Sequence, residues 1–277
     1  MPFKGMNDAQ LGVLSLLLEV SANPKPGNVD REHEFPDLKY EHFILSAVSA
    51  YSVFEDCMNR RGSIGTNFFN AVVKSYEICR TNVHFGAFFL LIPLIWCRGK
   101  VRDVEEELRR TTHEDSLAVL SAFRICKPRV MNVEELDLRG EDVKKEIVEK
   151  KVNLYHWLEK SPKENVVARE LIEGYWRSLE GCAILRNRYE QCGDLNEAIV
   201  YTYVYLLSEH LDPLVIAKHG LDTAYYVKER AKEVLEDFSL ERVKRFDEEL
   251  VEKGINPGSI ADLTCSSIYL ALKEGLI

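Results

Sequence analysis

Apolar and polar residues alternate along this chain with helical spacing. After Asn7, the residues Leu11, Leu14 and Leu18 recur on one face, and Asn7 with Gln10 makes a capping-box signature. Pro24 and Pro26 end that helix. A second periodic run extends from Tyr40 to Met58. Thr66 is expected to cap a third helix carrying Phe69, Val72, Val73 and Tyr76 on one side. His84 to Arg98 is a nearly continuous apolar run, and Glu114 to Cys126 follows, stopped by Pro128. Further helices are expected over Glu141–Glu159, Asn165–Leu179, Asp194–Glu209, Asp222–Phe238 and Ser239–Lys253. Ser259, with Asp262 three residues on, is expected to cap the last one. No segment alternates with period two between turn signals, and no repeat or Pro/Gly/Ser-rich linker divides the chain. The pattern predicts an all-α fold, one multi-helix domain over residues 1–277. The charged stretch from Val130 to Lys163 is its least compact part.

Composition narrows the function classes. With 277 residues, 46% of them hydrophobic, the chain can bury a full core. Its net charge of −9 lacks the basic footprint of nucleic-acid binding, so no nucleic-acid partner is expected. A few local cations still suffice for a phosphorylated small molecule. The seven cysteines are widely spaced and form no C-x-x-C pair, which argues for reduced thiols in a cytoplasmic protein and against zinc. No secretory leader pattern opens the chain. The run from Phe85 to Trp96 falls short of the roughly 20 residues that span a bilayer, so no membrane partner is expected. A homodimer stays open.

Three loops concentrate chemistry. The first is Asn23-Pro24-Lys25-Pro26-Gly27-Asn28-Val29-Asp30, a stiff turn with one cation and one carboxylate. The second, Asn82-Val83-His84-Phe85-Gly86, leads into the apolar helix. Asn82 stands where an N-cap belongs, and helix N-termini favour anions. The third is Asn256-Pro257-Gly258-Ser259-Ile260-Ala261-Asp262. Each also has an ordinary structural explanation: a surface turn, a simple cap, a cap partner. P-loop, dinucleotide, H-E-x-x-H and G-x-S-x-G motifs are absent.

Read together and in order, the three loops resemble the triphosphoribosyl-dephospho-CoA synthase family. Its members carry T-P-K-P-G-L-V-D-R, N-T-H-K-G-A and S-P-G-G-S-A-D-L at the corresponding places. Asp212, Lys218 and Gly220 give a weaker match, and Arg169-Glu170 with Gly174 resembles another family segment. The resemblance implies an all-α enzyme that moves the triphosphoribosyl group of ATP to the ribose 2′-hydroxyl of dephospho-CoA and releases adenine. It implies Mg²⁺ with the ATP substrate. Asp30, His84 and Asp262 are the candidate catalytic residues, and Asp30 and Asp262 the candidate metal ligands. Lys25, Gly27, Asn82, Gly86, Lys218 and Gly258 are candidates for substrate binding. Phe85 replaces the family lysine and Val83 the threonine, which opens two alternatives. One is a ribosyl or phosphoryl transferase acting on another acceptor in one-carbon cofactor synthesis. The other is a helical binding protein without chemistry.

Overall fold

The computed structural model describes residues 5–129, 131, 136–137 and 139–276. Among them are fifteen helices and no strand, only an isolated bridge between Phe35 and Leu38. Helix α1 (Asp8–Ser21) opens with the expected box. Asn7 Oδ1 accepts from the Gln10 amide at 2.9 Å, and Gln10 Oε1 accepts from the Asn7 amide at 2.9 Å. Helix α2 (Tyr40–Met58) matches its predicted bounds. Helix α3 (Ile64–Cys79) begins earlier than expected, because Ser63 and not Thr66 is the cap. Thr66 instead returns the bond, accepting from the Ser63 amide at 2.8 Å.

Helices α4 (Phe85–Trp96), α5 (Val101–Arg110) and α6 (His113–Cys126) follow. Helix α5 escaped the periodicity because it buries only Val104 and Leu108 beneath a charged surface. The single helix expected over Glu141–Glu159 is two, α7 (Val143–Glu149) and α8 (Leu154–Glu159), separated where Lys151 turns left-handed at φ 49°. Residues 130, 132–135 and 138 of the charged stretch lie outside the described residues. The helix expected over Asn165–Leu179 is also broken, into α9 (Val166–Ile172) and α10 (Trp176–Cys192). There the buried Glu170 carboxylate accepts from the Ser178 amide at 2.7 Å and from Arg177 at 3.1 Å, pinning the turn.

The chain closes with α11 (Leu195–Glu209), α12 (Pro213–His219), α13 (Leu221–Glu236), α14 (Leu240–Glu252) and α15 (Gly258–Lys273). Helix α15 is the hub. It is buried almost continuously from Ile260 to Leu272 and packs on α1, α4, α10 and α11. Each of its buried Leu or Ile side chains stabilises the fold by roughly 1.5–3 kcal/mol. Its start differs from the expected Ser259–Asp262 box. The helix begins at Gly258, and the Ile260 amide donates to Asp212 Oδ2 at 2.9 Å. Asp212 also caps α12, accepting from the Leu214 and Val215 amides. With that capping done from outside, Asp262 is released to face α4. No helix among the described residues is long and apolar enough to cross a membrane.

Candidate active site

The loop after α1 is held from every side. Asn196 bonds both the amide and the carbonyl of Asn23, and Tyr203 donates to the Pro26 carbonyl at 2.9 Å. The Gly27 amide donates to the buried Asp247 at 2.9 Å. Gly27 takes φ 70°, and a Cβ there would sit 2.2 Å from the Ile255 carbonyl oxygen, so only glycine fits. Asp30 folds the loop back on itself. Its Oδ2 accepts from the Lys25 amide at 3.1 Å, and its Oδ1 accepts from the Glu32 and His33 amides at 2.8 and 3.0 Å. The Lys25 ammonium is fully buried and paired with Glu19 of α1.

His84 caps α4 by backbone alone, in the left-handed region at φ 60°. It lies between Phe43 and Phe88, with ring centroids 4.9 and 5.7 Å away. Its Nδ1 meets Ser46 Oγ at 3.0 Å, while its buried Nε2 has no partner. Burial, followed by the charge of Lys25, pushes its pKa down to about 3, so the ring is neutral at neutral pH.

Asp262 comes from α15 and presses against the first turn of α4. A Cβ on Gly86 would fall 2.0 Å from its Oδ2. The side chain is half-buried and opens onto a pocket. Burial raises its pKa well above the usual carboxylate range, and the neighbouring Glu19 and Asp212 carboxylates raise it further. The Ala87 amide and Lys25 offset this in part. Glu19 is raised by burial too, but Lys25 pulls it back through charge and a hydrogen bond.

These groups share one pocket of about 250 Å³, lined by Glu19, Asn28, Asn82, His84, Gly86, Asn256, Gly258 and Asp262 at its polar end. Phe89, Val119, Leu154, Trp157 and Leu158 form an apolar wall, and the exposed Arg129 adds a cation. Among the described residues, three buried polar atoms of this lining lack a partner: Asn28 Nδ2, His84 Nε2 and Asn256 Oδ1. One comes from each of the three loops. Leaving such an atom unsatisfied costs about 1–3 kcal/mol, so the lining is shaped for a polar ligand.

The structure thus brings together Asn82, His84, Gly86, Gly258 and Asp262 of the expected residues. It does not bring in the others. Lys25 stands behind Glu19 and not in the pocket, because burial demands an anionic partner for its ammonium. Gly27 serves packing. Asn82 lines the pocket but is not the cap of α4, since the chain reaches helical geometry only after His84. Lys218 lies outside the lining, and desolvation, followed by the charge of Arg129, pushes its pKa down. Asp30 also lies outside the lining, its oxygens taken by three amides.

Asp30 and Asp262 therefore form no shared metal cluster at the pocket. Asp30 instead groups with His33 and Asp247, whose ligand atoms lie within 4.8 Å of one another. That set does not fit a magnesium ion carrying a triphosphate. Magnesium takes oxygen ligands and water, whereas here one ligand is an imidazole already paired with Asp247. Glu19, which also lines the pocket, was not among the residues expected from the sequence. Its signal was a lone carboxylate interrupting an apolar helix one turn before the first loop.

The model of a family described as ATP:dephospho-CoA triphosphoribosyl transferase matches residues 6–276. A protein of Streptococcus equi subsp. zooepidemicus (strain H70), provisionally named 2-(5''-triphosphoribosyl)-3'-dephosphocoenzyme-A synthase, is 25% identical over 96% of both chains. One of Streptococcus pyogenes serotype M1 with the same provisional name is 25% identical over 97% of both. A crystal structure from Archaeoglobus fulgidus, provisionally named triphosphoribosyl-dephospho-CoA synthase, is 39% identical with a TM-score of 0.72. The match covers 84% of this chain and 99% of that one.

Proposed function

We propose, from the chain's membership of the ATP:dephospho-CoA triphosphoribosyl transferase family, that its pocket moves the triphosphoribosyl group of ATP to dephospho-CoA. In that reaction the bond from the ribose C1′ to adenine breaks, its electron pair leaving with the base. A bond forms from C1′ to the acceptor's 2′-hydroxyl oxygen, and the hydroxyl proton is lost. The carrying observation is that three buried polar atoms, one from each loop and unpartnered among the described residues, meet the buried Glu19 carboxylate and the half-buried Asp262 carboxylate in one pocket.

The environments of the two carboxylates divide their work. Positive charge grows at C1′ as adenine departs, and an adjacent carboxylate stabilises it, as in glycosidases. Glu19, whose carboxyl is pushed up by burial but pulled back in part by the paired Lys25 ammonium, is the group proposed to accept the hydroxyl proton. Asp262 is suited to arrive protonated and to give its proton to the departing adenine. A protonated carboxyl and an ionised one side by side relieve the repulsion that two charges would create.

The pocket is smaller than the ~300–1,000 Å³ typical of sites that enclose a whole drug-sized ligand. The two ribose ends are therefore the parts proposed to enter, with the remaining lengths of both substrates outside. Phe85 lines the pocket where the family motif carries lysine, so among the described lining residues Arg129 is the cation proposed to meet phosphate oxygens. Mg²⁺ is proposed to enter with the triphosphate, held by its phosphate oxygens and water; no step is assigned to it.

The test is a product assay with the purified chain, ATP, Mg²⁺ and dephospho-CoA, read by adenine release and product mass. Adenine and a triphosphoribosyl adduct are expected, both lost in Glu19→Gln and Asp262→Asn. A folded protein that binds ATP but releases no adenine with dephospho-CoA would overturn this acceptor and send the search to other hydroxyl acceptors.

A further inference from the structure

Behind His84 lies a chain of two hydroxyls that the transfer chemistry does not touch. Ser75 of α3 donates its proton to Ser46 of α2 at 2.8 Å, and Ser46 Oγ lies 3.0 Å from His84 Nδ1. Both serines are buried, Ser46 fully. A hydroxyl has one proton and two lone pairs. Ser46 already accepts from Ser75. If Nδ1 carried the imidazole proton, Ser46 would accept twice, and its own buried proton would have no acceptor among the described residues. If Nδ1 is bare, Ser46 donates to it and every buried proton of the chain is used.

We propose that Ser46 and Ser75 are positioning residues that hold neutral His84 with its proton on Nε2, aiming an N–H donor into the pocket. The unpartnered Nε2 is the free end of this relay. The flanking rings of Phe43 and Phe88 restrain the imidazole plane, and the left-handed backbone at His84 fixes where it points. What such a donor recognises is an acceptor atom without a proton of its own. On the transfer reading above, on which this last step rests, that atom is a ring nitrogen of the departing adenine. The donor stabilises charge gathering on the base without giving up its proton.

The tautomer is testable apart from catalysis. With isotope-labelled histidine and His84→Gln to assign the signal, nitrogen NMR of the substrate-free protein reads which ring nitrogen carries the proton. A single Nε2–H form is expected in the native chain. Mixed tautomers are expected in Ser46→Ala, partial mixing in Ser75→Ala, and the single form again in Ser46→Thr. In the product assay Ser46→Ala should lower kcat about tenfold, the worth of one lost hydrogen bond, with the KM for ATP little changed. An Nδ1–H form in the native chain, or an unchanged Nε2–H form in both alanine variants, overturns the relay. The expected NMR pattern with no adenine release by the native chain overturns adenine as the acceptor and leaves the relay standing.

Discussion

Gly86 and Asp262 are in contact at the crossing of α4 and α15, where a Cβ at position 86 would lie 2.0 Å from the carboxylate oxygen. The contact explains two loops at once. The glycine lets the backbone of one helix approach, and the aspartate of the other fills the space. A carboxyl at a helix N-terminus is favourably placed against the helix dipole, which partly offsets its burial.

Gly86→Ala is therefore expected to act on Asp262. The added methyl must displace the carboxyl or spread the two helices. With the fold retained, a reacting group moved by about 1 Å loses on the order of 100-fold in rate. Adenine release should fall by that factor while the far-UV circular dichroism stays native. Full activity in this variant would show that the position of Asp262 does not limit the reaction.

Gly27→Ala should do the opposite, costing stability first. Its φ of 70° disfavours any side chain, and the nearest obstacle is a backbone oxygen that cannot rotate away. A loss of about 3 kcal/mol is expected, read as a lower urea midpoint at unchanged slope.

How far these sites were legible in the sequence follows from the forces behind them. Helical periodicity exposed α1, α2 and α4, whose buried faces are wide. It missed α5, which buries two residues, and joined α9 to α10, because the break at Tyr175 depends on a carboxylate seven residues from its arginine partner. The three loops bring Asn82, His84 and Asp262 to the lining of one pocket. Lys25 and Asp30 looked like ligand groups because charge in a stiff loop usually meets solvent. Both turned inward, since Glu19 and three loop amides satisfied them first. Partners distant in the chain, such as Asp212 for Ile260 and Asp247 for Gly27, have no local signature.

The Lys25–Glu19 pair predicts a double-mutant pattern. Lys25→Met leaves a buried carboxylate without its cation, a change worth about 3–5 kcal/mol in other buried pairs. Adding Glu19→Gln removes the stranded charge and should restore most of that stability. It should not restore adenine release, because the carboxylate proposed to accept the hydroxyl proton is gone. Denaturant titration and the product assay on the same three variants separate the two roles. Recovered activity in the double variant would remove Glu19 from the chemistry.

Asp212 gives a pH dependence of definite sign. Burial raises its pKa from 3.8 to about 6, although four backbone amides act to lower it. Between those values the native state keeps a proton that the unfolded chain has already lost. Its contribution to stability is therefore full below about pH 4 and falls as pH rises towards 6. His84 runs the other way, since its pKa falls from 6.5 to about 3 and the unfolded chain gains a proton on acidification. The two must be separated by subtraction. The stability of the native chain minus that of Asp212→Asn, from urea titrations at a series of pH values, should decrease by at most about 3 kcal/mol between pH 4 and 6 and then level off. The variant itself should be less stable throughout, because an amide nitrogen would replace one oxygen that accepts a backbone proton, either from Ile260 or from α12. A difference that grows with pH would mean that the amides, and not burial, govern this carboxylate, and Asp212 would then hold the start of α15 as an ionised cap.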